Sequence, residues 1–204
     1  MISKDKKEKL VKLNRKIKKN LDEIIKLHDK WLKNQPDGVR ADFSDSDMRK
    51  VNLSGVNLSM ANFFACNLSG ANLSGANLQG CTFENAIVKK ANLTKANMRF
   101  CNIINATFDG SNMREVDLRN VTGQTASLQK VNLMYVNAIS CNLENSDLDY
   151  SNISCGDFTG ATLVRVDFKE VNMKNTKFLG ALFSGAANYK DKMTSKQRLE
   201  IFDL

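Results

Sequence analysis

Few residues in this chain combine the types and the spacing that catalysis requires. The sequence has one histidine, His28, and five cysteines, none in a CxxC pair or with a histidine companion, so zinc coordination is not predicted. No phosphate-binding loop, dinucleotide fingerprint or nucleophile elbow occurs in a suitable setting. We therefore predict that the protein is not an enzyme and has no catalytic residue, no metal site and no cofactor.

The aspartates and cysteines recur at fixed places in a five-residue pattern. The pattern starts at Ala41-Asp42-Phe43-Ser44-Asp45, repeats 29 times without an insertion and ends at Gly185. Its first position is nearly always small, its second is nearly always Asn, Asp, Thr or Ser, and its third is apolar or small. A period of five fits neither a flat strand nor a helix, so it predicts one short unit stacked many times.

This pattern gives the candidate side chains structural roles. The second-position aspartates alternate with many asparagines, which predicts backbone and ladder hydrogen bonds and not paired catalytic carboxylates. Four cysteines occupy the first position, where alanine is usual, and are predicted to be buried; Cys155, at the fifth position, should be exposed. Eight of the eleven glycines stand at the fifth position, where the chain must turn a corner. The second-position aspartates include Asp42, Asp117, Asp147, Asp157 and Asp167, and the first-position cysteines are Cys66, Cys81, Cys101 and Cys141.

The net charge of +8 belongs almost entirely to one end of the chain. Residues 1–40 hold 13 Lys and Arg against 6 Asp and Glu, whereas residues 41–204 hold 17 against 16. No run of 18 apolar residues predicts a transmembrane helix, and no apolar stretch near Met1 predicts a secretory signal. We therefore expect a cytoplasmic protein with a nearly neutral repeat region and a basic N-terminal segment.

The repeat resembles the pentapeptide-repeat family, whose pattern is A(D/N)LXX. Residues 71–80, Ala-Asn-Leu-Ser-Gly-Ala-Asn-Leu-Gln-Gly, match this pattern almost letter for letter. The resemblance implies an all-β fold, a right-handed quadrilateral parallel β-helix with four repeats per coil and about seven coils. We divide the chain accordingly into a basic amphipathic helix and turn (residues 1–40), the β-helix (41–185) and a C-terminal capping helix (186–204).

A coil of twenty residues predicts which side chains share a column. Phe43, Phe63 and Phe83 should stack as an aromatic ladder, and Cys81 and Cys101 should be vertical neighbours with reduced thiols. Gly123 fits the pattern worst and predicts an underfilled coil with a small void or a distorted wall.

Each end of a β-helix exposes its core and therefore needs a cap. Residues 3–34 have the apolar spacing of a helix, which Pro36-Asp37-Gly38 should end. A capping-box pattern from Thr194 to Gln197 predicts a short helix at the other end. The resemblance allows dimerisation through this second helix. The candidate capping or dimer contacts are Trp31, Leu32, Leu199 and Phe202.

Two surfaces are candidates for binding. Apolar residues at outward positions should cluster at one corner of neighbouring coils, namely Met60, Phe64, Phe100 and Ile104. The basic surface comprises Lys4, Lys6, Lys7, Lys9, Lys12, Arg15, Lys16, Lys18 and Lys19. The first favours packing of the chain's own N-terminal helix along this corner, or a non-enzymatic scaffold that binds a protein partner or a second copy as a homodimer. The second favours binding of nucleic acid or of an anionic surface.

The resemblance implies one further alternative. Some pentapeptide-repeat proteins protect DNA gyrase and topoisomerase IV, in some cases conferring quinolone resistance, by mimicking duplex DNA with a strongly acidic surface. The nearly neutral repeat region of this chain disfavours that role, because mimicry of DNA requires a dense negative field.

Overall fold

A computed structural model describes residues 20–202 of the protein. Helix α1 spans Leu21–Leu32, a 3₁₀ turn spans Lys190–Lys192 and helix α2 spans Ser195–Leu199. Strands β1 (Ala181–Leu182) and β2 (Ile201–Phe202) pair in parallel. From residue 41 to β1 the chain consists of isolated parallel bridges separated by turns. Of the predicted helix of residues 3–34, the part up to residue 19 therefore lies outside the described residues.

Each repeat is a short extended segment followed by a four-residue turn. In the first repeat, the N–H of Ser46 donates to the carbonyl of Phe43 at 3.2 Å and closes the turn. The fifth-position residue of every repeat, from Asp45 to Gly185, has a positive φ between +51° and +69°. Glycine adopts this left-handed conformation without strain, which explains why glycine is frequent at this position.

Successive coils are joined by hydrogen bonds between residues about twenty apart. Asp42 forms a parallel bridge with Asn62, and the same step recurs down the chain to the bridge between Asp167 and Ala187. The N–H of Phe43 donates to the carbonyl of Asn62 at 2.7 Å, and the N–H of Asn62 donates to the carbonyl of Ala41 at 3.0 Å. Four repeats therefore complete one coil, and neighbouring coils lie about 4.8 Å apart, the usual strand spacing.

Third-position side chains fill the interior of the coils. Phe43, Phe63 and Phe83 stack with ring centroids 5.1 Å and 4.8 Å apart, which confirms the predicted aromatic ladder. Gly123 continues the same column, but its surroundings differ from the expected void. A Cβ atom there would lie 2.8 Å from Cγ1 of Ile103 and 2.9 Å from Cδ2 of Leu143. The side chains below and above have taken the space that a side chain at residue 123 would occupy.

Helix α1 covers the N-terminal end of the core. Leu21, Ile24 and Ile25 are half-buried and pack against the core residues. His28 is fully buried, and its Nδ1 accepts a hydrogen bond from the N–H of Ala41 at 3.1 Å. The helix is therefore attached to the first coil by apolar packing and by one buried polar contact.

The C-terminal segment forms an irregular additional coil. Nε2 of Gln197 donates hydrogen bonds to the carbonyl oxygens of Met173 at 3.2 Å and Thr176 at 2.9 Å, and both of these residues belong to the last coil. Thr194 and Gln197 form the capping box at the start of α2. Ile201 then pairs with Ala181, so the tail returns to the twenty-residue register after the pentapeptide pattern has ended.

Candidate interaction surfaces

Second-position side chains are hydrogen-bonded into the wall of the β-helix. Oδ1 of Asp42 accepts from the N–H of Ser44 at 3.0 Å and from Nδ2 of Asn62 at 2.8 Å. In a neighbouring column, Nδ2 of Asn72 donates to Oδ1 of Asn52 at 3.1 Å. The predicted ladder bonds are thus confirmed. Within residues 20–202, no group of three or more His, Cys, Asp and Glu side chains is arranged to hold a metal ion.

The cysteines have the predicted environments. All five are free thiols, and Cys155 is exposed whereas the other four are buried. Burial raises the pKa of Cys66 and Cys141 to about 12, because the thiolate would lose its hydration. The thiols of Cys81 and Cys101 donate to the carbonyls of the preceding coil, to Leu58 and Leu78, both at 3.0 Å. These four thiols therefore act as small core residues.

His28 has a structural environment. Burial lowers its pKa because the charged imidazolium would be desolvated; nearby Arg40 lowers the pKa further, while the Ser59 backbone and Asp29 oppose the shift. The ring stacks on Trp31 with centroids 5.5 Å apart and an interplanar angle of 14°. Since Nδ1 accepts the hydrogen bond from Ala41, the neutral ring is the form that fits this site.

The four candidate capping or dimer residues have different surroundings. Trp31 and Leu32 are half-buried at the end of α1. The side chain of Leu199 is 88% exposed and does not cover the core of its own chain. The backbone of Phe202 pairs with Leu182 in the β1–β2 sheet. Tyr189, Met193 and Gln197 are the buried residues of the tail. The sequence did not single out Tyr189 and Met193, and it assigned Gln197 only to the capping box. Continuing the twenty-residue register past Gly185 would have drawn attention to this segment.

The four residues predicted to cluster at one corner lie in two columns, one on each side of the wall that contains Asn62, Thr82 and Asn102. We call Met60, Phe64, Phe100 and Ile104 the apolar face; Met60 is 50% exposed, Phe100 51% and Phe64 38%. Met60 extends over Gly80, where an added Cβ would collide with its sulfur, and so points toward Phe100 in the same column. The twenty-residue coil therefore places residues that are 40 apart in sequence on one side of the wall.

The polar neighbours of the apolar face are engaged in contacts of their own. Glu84, between Phe64 and Ile104 in their column, accepts a hydrogen bond from Nδ2 of Asn102 at 3.1 Å. The guanidinium of Arg99 lies 5.2 Å from the centre of the Phe100 ring. The predicted basic surface, residues 4–19, lies outside the described residues.

A comparison of the sequence with models of protein families decides its classification. Eight copies of the pentapeptide repeat model match residues 39–63, 66–99, 88–120, 126–163 and 157–186. The chain belongs to the pentapeptide repeat family. Members of this family form right-handed β-helices, in agreement with the parallel bridges. No curated protein matches the chain significantly.

Several solved structures of pentapeptide repeat proteins match part of the chain. HetL from the cyanobacterium Nostoc sp. strain PCC 7120, involved in regulation of heterocyst differentiation, is 18% identical, with a TM-score of 0.42 over 71% of this chain and 79% of HetL. QnrB1, a plasmid-mediated fluoroquinolone resistance protein, is 23% identical, with a TM-score of 0.45 over 72% of each chain. Another pentapeptide repeat protein from Nostoc PCC 7120 is 25% identical, with a TM-score of 0.43 over 48% of this chain and 78% of its own. These values do not transfer a function to the chain.

Between residues 20 and 202, no helix is both long and apolar enough to cross a membrane.

Proposed function

We propose that this pentapeptide repeat protein is a non-enzymatic scaffold that binds a protein partner through the apolar face. The observation that carries the proposal is the grouping of half-exposed Met60 and Phe100 with Phe64 on one wall. Large exposed apolar and aromatic side chains supply most of the binding energy in protein interfaces. The stacked coils hold these side chains in place, so little conformational entropy is lost on binding.

A pair of matched double variants of the full chain tests this proposal. In the first, Met60→Ser is combined with Phe100→Ser; in the control, Tyr135→Ser is combined with Leu179→Ser. The control residues are as exposed as the test residues but lie in other columns. Because all four positions are on the surface, we expect both variants to keep the melting temperature of the wild type within a few degrees.

The readout is the affinity for a partner that is first captured with the wild-type protein and then purified. We expect the Met60/Phe100 variant to bind at least about tenfold more weakly and the control to bind like the wild type. Light scattering of the same proteins shows whether the partner is a second copy of the chain, the homodimer alternative. Equal binding by the Met60/Phe100 variant and the wild type would refute the apolar face as the binding surface.

The alternative of a DNA mimic that protects gyrase is less favoured by the charges of the wall. Many of its carboxylates lie against cations: Asp47 with Arg49 at 2.7 Å, Asp157 with Lys177 at 3.3 Å. Such pairs reduce the negative field that mimicry of duplex DNA requires. In a gyrase supercoiling assay with a fluoroquinolone, we expect no protection at micromolar protein, and protection would revive this alternative.

A further inference from the structure

One long edge of the rod carries lysines at regular intervals. The fifth-position column that contains Lys50 continues twenty residues at a time through Gly70, Lys90, Gly110, Lys130 and Tyr150 and ends at Glu170. Lysine therefore recurs in every second coil, about 9.6 Å apart at the usual strand spacing. A Cβ at Gly70 would lie 3.6 Å from Cγ of Lys50, and one at Gly110 would lie 3.5 Å from Cγ of Lys90. The lysine stems thus lie along the wall beside the intervening glycines.

The lysines of this column differ in their contacts from basic residues of other columns. Lys95, Arg165 and Lys177, in other columns, each form an ion pair with a carboxylate. By contrast, no carboxylate in the described part of the chain lies within ion-pair distance of Lys50, Lys90 or Lys130. These three ammonium groups are therefore available to a ligand, although the same corner also holds Asp109 and Asp149 in the adjacent fourth-position column.

An aromatic ring continues the row of lysines. Tyr150 is 47% exposed, and the Nζ atoms of Lys130 and Lys169 lie 6.0 Å and 5.6 Å from the centre of its ring. We call Lys50, Lys90, Lys130, Tyr150 and Lys169 the lysine edge. A half-exposed ring flanked by cations can stack on a planar group of a ligand while the cations contact its anionic groups.

One of the two walls that meet at this edge carries little negative charge. Its second positions are asparagine in every coil, from Asn52 to Asn172, and its fourth positions include Arg114 and Lys174 but no acidic residue. Tyr135, at the far corner of this wall, is 49% exposed and lies against Arg114, whose guanidinium carbon is 5.1 Å from the ring centre. A linear anionic ligand that lies toward this wall would therefore meet few opposing charges, whereas the other wall at this edge holds Asp147, Asp149 and Asp167.

We propose that the lysine edge binds single-stranded nucleic acid, with phosphates along the lysines and a base stacked on Tyr150. A single strand is favoured over a duplex because the corners project only short turns, and none of them is a helix or ribbon that could enter a major groove. The exposed ring favours a nucleic acid over an acidic polypeptide, because every base offers a flat face for stacking. This site is separate from the apolar face and does not depend on the function proposed above.

The first test measures the affinity of the full chain for a fluorescein-labelled 20-nucleotide oligo-dT by anisotropy over a series of salt concentrations. The test variant combines Lys50→Ser, Lys90→Ser and Lys130→Ser; the control combines Lys95→Ser, Arg165→Ser and Lys177→Ser, which removes the same number of positive charges. We expect the test variant to bind more weakly, with a slope of log affinity against log salt that is shallower by about 2. Equal losses in the two variants would overturn the proposal.

The second test concerns the aromatic ring and the competing basic segment. We expect Tyr150→Ser to weaken binding about tenfold and Tyr150→Phe, which keeps the ring, to leave it unchanged. If Tyr150→Ser binds normally and poly-glutamate displaces the oligonucleotide equally well, the edge does not recognise nucleic acid and the proposal fails. It also fails if the oligonucleotide does not bind.

A full-length variant with the nine Lys and Arg residues of the segment 4–19 changed to Gln should still bind more weakly when Lys50, Lys90 and Lys130 are replaced. Loss of that sensitivity would contradict the proposal.

Discussion

At the scale of single residues, the position within the five-residue repeat decides the environment of a side chain. Asp42 and Asn52 form hydrogen bonds within the wall, and Cys66 and Cys141 are core residues whose pKa is raised by burial. Residues that elsewhere support catalysis therefore have structural roles here. Gly123 is an exception to the pattern that the core has accommodated, since Ile103 and Leu143 fill the space beside it.

We predict that restoring the pattern at this position destabilises the protein. Gly123→Leu should lower the free energy of unfolding by about 1–3 kcal/mol, because its Cβ would lie within 3 Å of Ile103 and Leu143. The variant Gly123→Leu combined with Ile103→Ala should recover part of this loss, since the shortened neighbour vacates the space. Thermal unfolding followed by circular dichroism measures both effects. A higher melting temperature for Gly123→Leu would show that the column does contain an unfilled void.

At the scale of elements, the two caps are attached by different means. Helix α1 combines half-buried apolar residues with the hydrogen bond between His28 and Ala41, whereas the tail uses Gln197 to satisfy carbonyls of the last coil. The sole histidine and the sole tryptophan of the chain are stacked on each other within α1. The attachment of α1 should therefore depend on pH and should be visible in the fluorescence of Trp31.

We predict that α1 loosens as the solution is acidified. The pKa of His28 is lowered in the folded state, so the unfolded chain takes up the proton first and stability falls as the pH drops below the ordinary value of 6.5. The stabilisation is complete above that pH, and its loss is at most about 1.4 kcal/mol per pH unit. Protonation also turns Nδ1 into a donor that cannot accept from Ala41. Titration of Trp31 fluorescence from pH 7.5 to 5 in the wild type should show a transition that is absent in His28→Gln, and identical curves would refute this role.

The repeat could be predicted from the sequence more completely than the caps. The small residue at the first position and the apolar residue at the third recur in strict register, so the twenty-residue columns and the ladder of Phe43, Phe63 and Phe83 followed from the pattern. The tail lacks the five-residue pattern, so nothing in that pattern predicted that Tyr189 and Met193 are buried in an irregular coil. The lysine edge was also missed, since Lys50 and Lys90 are 40 residues apart and look like isolated surface lysines until the coil brings them into one column.

At the scale of the whole molecule, stacking converts distance along the sequence into distance along a rod. Residues of one column are separated by about 4.8 Å for every twenty residues. The apolar face and the lysine edge both exist only because of this conversion, as Met60 and Phe100, or Lys50 and Lys90, would otherwise be unrelated in space. The twenty-residue step is therefore the claim on which both binding proposals rest.

Distances between spin labels in one column test this claim directly. Labels on Ser54→Cys and Arg114→Cys are three coils apart, and labels on Ser54→Cys and Lys174→Cys are six coils apart, with Cys155→Ser removing the exposed native thiol. For the corresponding Cα atoms we predict separations of about 14 Å and about 29 Å, with the second twice the first. Separations that do not double, or a broad distribution for the longer pair, would contradict a stack of twenty-residue coils.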